Sequence, residues 1–180
     1  MSLPKEKIYT TENIYTLPEG ERAELIDGQI YYMAPPGRKH QELVNNLSYV
    51  INDYIRKNNG GCKIYPAPFA VFLNADGKNY VEPDISVICD KDKLDDFGCN
   101  GAPDWIIEIV SPSSISMDYN TKLFKYRTAK VREYWIVDYT KDMITVYNFE
   151  TEQMNRYEFS DSVPSGIYPD LLIDFSQLNI

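Results

Sequence analysis

An α/β or α+β domain, with a mixed β-sheet flanked by helices, is predicted by three features of this 180-residue sequence. Apolar residues recur at helical spacing between Lys39 and Lys57. Trp105 to Val110 is a nearly continuous apolar run, as expected of a strand covered on both faces. Hairpin signals stand at both ends of the chain. The length fits a single domain over residues 1–180, large enough to bury a sizeable core.

The elements follow in order. Thr11 to Gly20 holds a short helical segment ending at Leu17-Pro18, and Arg22 to Met33 reads as a hairpin turning at Asp27-Gly28. After the loop Ala34-Pro35-Pro36-Gly37, the residues Leu43, Val44, Leu47, Val50, Ile51, Tyr54 and Ile55 define one face of a helix over Lys39–Lys57. Asn58-Asn59-Gly60-Gly61 ends it. Lys63 to Leu73 reads as extended, with Pro66 and Pro68 restricting part of it to an edge or bulge. Asn74-Ala75-Asp76-Gly77 is a turn before the next strand, Val81 to Ile88. Asp90 to Pro103 reads as a polar loop long enough to cover a site. Ser111-Pro112-Ser113-Ser114 leaves the Trp105 strand and offers capping hydroxyls to a helix over Ser116–Ala129. Glu133–Tyr139, Met143–Tyr147 and Asn155–Phe159 read as further strands, and the tail from Ile167 to Phe175 is expected to pack down through Leu171, Leu172 and Ile173.

Composition narrows the function classes. The polar start, Met1 to Lys7, is followed by no apolar core of a secretory signal, and no run is long enough to span a membrane. Cys62, Cys89 and Cys99 are odd in number and form no CxxC pair, so neither a disulfide framework nor a zinc site is expected, and the protein reads as cytoplasmic and reduced. With His40 alone, a histidine-rich metal site has little to draw on. The net charge of −9 argues against a broad nucleic-acid footprint, so any such groove is expected to be local. Lys122, Lys125, Arg127, Lys130 and Arg132 form one basic cluster, equally well explained as a solvated helix face, and Arg38 with Lys39 forms another.

Two acids stand where their neighbours predict apolar residues. Glu108 is the only charge in Trp105–Val110, and an unpaired carboxylate there costs several kcal/mol or takes up a proton. Alternation across Val81–Ile88 places Glu82, Asp84 and Ser86 on one face, with Asp84 mid-strand. If the two strands pair with these faces aligned, Asp84 and Glu108 converge, and a hard divalent cation such as magnesium satisfies both. On the following helix Asp118, Lys122 and Tyr126 recur at i, i+4 and i+8, so that Lys122 can reach back over the acids, while Tyr119, Leu123 and Tyr126 form an apolar seam. Taken singly, Asp118 and Lys122 are a surface pair worth about 0.2–0.5 kcal/mol, and Glu108 is a core acid paired with an arginine. Together they form an ordered constellation that surface chance does not explain.

At these residues the chain resembles the Uma2 family of predicted endonucleases, a branch of the PD-(D/E)XK restriction-endonuclease-like superfamily. The likeness lies in Glu24-Leu25-Ile26-Asp27-Gly28, Pro35 to His40, Pro83-Asp84, Glu108 to Ser113, Asp118 with Lys122 and Tyr126, and Glu133 to Asp138. It implies a restriction-endonuclease-like core hydrolysing phosphodiesters of nucleic acid, DNA being the expected substrate, with magnesium or manganese held by Asp84, Glu108 and the Ile109 carbonyl. Two residues after Glu108, where the superfamily has lysine, this chain has Val110, and the resemblance assigns that role to Lys122. Glu24, Glu82, His40, Asp118 and Tyr126 are auxiliary candidates: Glu82 for a second metal, His40 by its place at a helix start, and Tyr126 for positioning Lys122 or contacting phosphate. A homodimer is an expectation from the resemblance. The alternative is a catalytically inactive module on the nuclease fold that binds nucleic acid or a protein.

Overall fold

The computed structural model describes residues 7–112 and 114–178. A short helix α1 (Thr11–Tyr15) precedes the hairpin β1 (Ala23–Ile26) and β2 (Gln29–Tyr32), which turns at Asp27-Gly28 with both residues at positive φ. Helix α2 (Arg38–Lys57) follows because its apolar residues fall on one stripe, burying Leu43, Val44, Leu47, Ile51 and Ile55. Then come β3 (Lys63–Pro66), β4 (Val71–Phe72), β5 (Tyr80–Val81), β6 (Ile85–Ile88), β7 (Leu94–Asp95), β8 (Gly98–Asn100) and β9 (Trp105–Val110). A π-helical segment, Met117–Lys122, runs into α3 (Leu123–Thr128), and the chain continues as β10 (Glu133–Asp138), β11 (Met143–Asn148), β12 (Gln153–Glu158), β13 (Ser162–Pro164) and β14 (Leu172–Asp174).

The strands form two six-stranded sheets, β2-β1-β5-β4-β8-β7 and β12-β11-β10-β9-β6-β3, with β13 and β14 as a separate pair. In the second sheet β9 and β10 run parallel while β6 and β11 flank them antiparallel, so the sheet is mixed as expected. Alternation along β9 places the site. Trp105, Ile107 and Ile109 pack with the α2 stripe, whereas Ile106 and Val110 pack with Tyr126 of α3 and with Ile26, Val71 and Val81 of the first sheet. Glu108 shares the face of Ile106 and Val110, which aims its carboxylate between α3 and the first sheet.

Several expectations are corrected. Val81–Ile88 is not one strand: Pro83 has no N–H to give a ladder, β5 ends in the first sheet, β6 begins in the second, and Asp84 sits at the junction instead of mid-strand. Lys63–Leu73 likewise divides into β3 and β4, in different sheets, around the cis Ala67-Pro68 bond. Asp90–Pro103 is not a covering loop, because its β7–β8 hairpin adds to the first sheet through β4. The predicted Ser116–Ala129 helix opens with the wider π turn. In the tail Leu171 and Ile173 are buried, but strand alternation in β14 turns Leu172 outward, 61% exposed. The expected capping serines form a turn, with Ser114 Oγ accepting the Ser111 N–H at 3.0 Å; Ser113 lies outside the described residues. Cys62 and Cys89 are joined in a disulfide, against the reduced expectation: the β3–β6 register that pairs Lys63 with Ile88 sets them opposite each other, across a separation of 27 residues that gives no CxxC signal.

Candidate active site

β6 and β9 bring the acids together. Ile85 pairs with Ile107, so Asp84 and Glu108 are the next opposed positions, and the Asp84 N–H points to Glu108 Oε2 at 3.4 Å. Asp84 Oδ2 accepts the Ile109 N–H at 2.8 Å and lies 3.1 Å from His40 Nε2, at the start of α2. With the carboxylate ionised, that imidazole nitrogen is the donor. Among the described residues His40 Nδ1 is buried without a partner. Among the described residues Asp84 Oδ1 carries no hydrogen bond.

Lys122 is the internal cation of the site. Its Nζ donates to Glu108 Oε1 at 2.9 Å and to Glu24 Oε1 at 3.0 Å, and lies 3.7 Å from Asp118 Oδ1. The Tyr126 hydroxyl donates to the same Glu108 oxygen at 2.6 Å. Glu24, on the buried strand β1, also accepts the Glu82 N–H at 3.0 Å. The π turn and α3 thus present Asp118, Lys122 and Tyr126 to one carboxylate, as their spacing predicted, and Asp118 and Lys122 are buried instead of forming a surface pair.

Burial pushes Glu108 well above the usual carboxylate range; the Lys122 ammonium opposes that shift, while Asp118, Asp84 and Glu24 add to it. Asp118 is raised by burial too, against Lys122 and a hydrogen bond from Ser114. For Lys122 burial works downward, but Glu108, Glu24 and Asp118 outweigh it and hold the ammonium well above its ordinary value. Burial, reinforced by Glu108, keeps Tyr126 protonated.

Other candidates lie elsewhere. Glu82 does not join Asp84: its carboxylate takes Arg22 Nε at 3.1 Å and the Tyr80 hydroxyl at 2.6 Å, so it is neither solvated nor free for a second metal. The predicted basic cluster is largely spent on neighbours. Lys122 is enclosed by acids, Lys125 pairs with Asp27, Arg127 with Glu152, and Arg132 with Asp104 and Glu150. Arg38 pairs with Glu42. A groove of about 460 Å³ between α3 and β11–β12, lined by Tyr119, Phe124, Phe149 and Met154, contains none of the four acids.

Glu24, an auxiliary candidate from the sequence, joins the site through Lys122, and the test that singled out Glu108 also applies to it, since it interrupts the buried run Ala23–Ile26. Glu133 was missed. It is buried, accepts the Gly166 N–H at 2.6 Å and the Trp135 indole N–H, and burial raises it to about 7.

Among the described residues no three His, Cys, Asp or Glu side chains converge as an all-protein metal cage requires. Asp84 Oδ1 and Glu108 Oε2 nevertheless leave two carboxylate oxygens on opposed positions free of strong hydrogen bonds, which fits magnesium, an ion content with one or two protein carboxylates and water.

A mixed sheet that opposes two acids at its interior strands β6 and β9, with a lysine supplied from the next helix, defines a restriction-endonuclease-like, nuclease-type fold. The chain belongs to the Uma2 family, described as "Putative restriction endonuclease", which it matches over residues 11–177. The crystal structure of a protein described as a "putative nuclease" from Anabaena variabilis shares the fold, with a TM-score of 0.75 and 21% identity over 94% of this chain and 96% of that one. Two uncharacterised Synechocystis proteins are 27% identical over 129 residues and 29% identical over 121, spanning 71% and 66% of this chain. The matched stretches cover 66% and 67% of those relatives' length. No helix among the described residues is long and apolar enough to cross a membrane.

Proposed function

We propose that the chain is a metal-dependent endonuclease that hydrolyses phosphodiester bonds of nucleic acid, DNA first. The observation that carries this reading is Lys122 Nζ, 2.9 Å from a Glu108 carboxylate that is itself opposed to Asp84. Asp84 Oδ1, Glu108 Oε2 and the Ile109 carbonyl would hold magnesium or manganese, which supplies an acidified water and neutralises charge on the phosphate.

The side chains around these ligands have separable roles. His40 and the Ile109 N–H engage Asp84 Oδ2 and so turn Oδ1 outward. Tyr126 and Lys122 both engage Glu108 Oε1 and leave Oε2 toward Asp84. Lys122 remains charged, so it orients an attacking water or stabilises negative charge growing on the phosphorane. Asp118 and Glu24 hold that ammonium in place.

One observation favours the inactive alternative: Lys122 is already shared by three carboxylates, which reduces the positive charge it offers a phosphate. Incubation of single- and double-stranded DNA and RNA with magnesium, manganese or chelator separates the two readings. Metal-dependent cleavage that Asp84→Ala abolishes supports the endonuclease. No cleavage of any substrate, with folded protein and either metal, supports the inactive module.

A further inference from the structure

Tyr31 stands directly opposite Glu24 in the β1–β2 ladder. Opposed residues of an antiparallel pair share a face, with Cβ atoms about 5 Å apart, so the Tyr31 side chain rises from the surface that carries the Glu24 carboxylate to Lys122. It is 37% exposed, on the edge strand of the first sheet. Among the described residues its ring and hydroxyl have neither a ring contact nor a hydrogen bond. From β2 across β1 to β5 is two strand spacings, about 10 Å, and Asp84 lies three residues beyond the β5 position opposite Glu24, about 10 Å along the chain, so Tyr31 stands about 14 Å from Asp84. That is roughly the length of four stacked nucleotides. Arg22, just before β1, is 40% exposed at its side chain and is anchored by Glu82.

The charge distribution indicates which nucleic acid would lie there. A duplex is gripped mainly through its phosphates and needs several free cations. Here the net charge is −9, and Lys122, Lys125, Arg127 and Arg132 of the basic cluster are all paired. Stacking on an aromatic ring is open only to a base that is not held inside a helix, and it needs no net charge.

We propose that Tyr31 is a stacking platform for an unpaired base a few nucleotides from the scissile phosphate, so that the substrate is a single strand, flap or frayed end rather than an intact duplex. This rests on the endonuclease reading, and the experiment separates the two. Binding is measured in the Glu108→Gln background, which removes cleavage, by the fluorescence of 2-aminopurine placed singly along DNA and RNA 12-mers, with blunt duplex for comparison. Quenching is expected at one position. Tyr31→Leu should weaken single-strand binding about 5- to 100-fold and abolish the quench, while Tyr31→Phe should retain both. Tyr32→Leu, on the opposite face of β2, is the control for a general effect on the strand. Binding should fall with salt at a log–log slope shallower than about −2, equivalent to fewer than three phosphate contacts. DNA and RNA arms that differ identify the sugar preferred, within the same proposal. Tight binding that Tyr31→Leu leaves unchanged, blunt duplex bound best, or a steep salt slope overturns the stacking platform and leaves the endonuclease standing. Wild-type protein that neither binds nor cleaves any of these nucleic acids overturns both.

Discussion

Lys122 Nζ and Glu108 Oε1 are 2.9 Å apart inside the protein, with side chains only 7% and 5% exposed. A buried pair of this kind stabilises little compared with apolar side chains of the same volume, but removing one member leaves the other charge uncompensated. Lys122 compensates Glu24 and Asp118 as well. Lys122→Met should therefore cost about 3–5 kcal/mol at pH 8, read from urea unfolding. The loss should shrink toward pH 5. Lys122 opposes the upward shift of Glu108 and Asp118, so without it both acids rise further above their ordinary values, and the folded variant takes up more protons than folded wild type and regains stability as pH falls. A loss that stays constant from pH 5 to 8 contradicts the arrangement.

Glu133 gives an independent pH signature. Its folded value of about 7 stands above the ordinary 4.5, so its contribution to stability is fully present below pH 4.5 and is lost as pH rises toward 7. Complete expression of that shift is worth about 3 kcal/mol. Glu133→Gln should flatten this part of the profile. It should also destabilise the protein at pH 5 by about 1–3 kcal/mol, because an amide places a donor among the Trp135 and Gly166 donors. An unchanged profile in the variant contradicts the assignment.

Much of this site was legible in the sequence because charge inside an apolar run is a strong signal. Glu108 stood out in Trp105–Val110, and the spacing of Asp118, Lys122 and Tyr126 placed all three on one side of a helix, as found. The same signal at Glu24 went unused, although Ala23, Leu25 and Ile26 are all buried around it. What periodicity does not carry is which strand pairs with which. The division of Val81–Ile88 between two sheets, the Cys62–Cys89 disulfide and the capture of Glu82 by Arg22 all follow from long-range register. His40 is a related case: its place at a helix start was readable, but its contact with Asp84, 44 residues away, was not.

His40 is a positioning residue in this account, acting through Asp84 Oδ2. His40→Ala should weaken manganese binding about 10- to 100-fold, with the melting temperature much less affected than by Lys122→Met. Unchanged metal affinity in a folded His40→Ala protein excludes the positioning role.

The cysteines are tested by thiol counting. Under denaturing conditions without reductant, the chain should show a single reactive thiol, Cys99, and three after reduction. Reduction should also lower stability by about 3.5 kcal/mol, the loop-closure value for a bridge of this span. Three thiols before reduction contradict the disulfide.

The most direct test of the central claim is calorimetric titration of manganese into wild type and Glu108→Gln at pH 7.5. The account predicts binding by wild type at micromolar to millimolar metal and its loss in the variant, with the fold retained by circular dichroism. Equal binding by both proteins, or none by wild type at millimolar metal, would contradict a metal centre between Asp84 and Glu108.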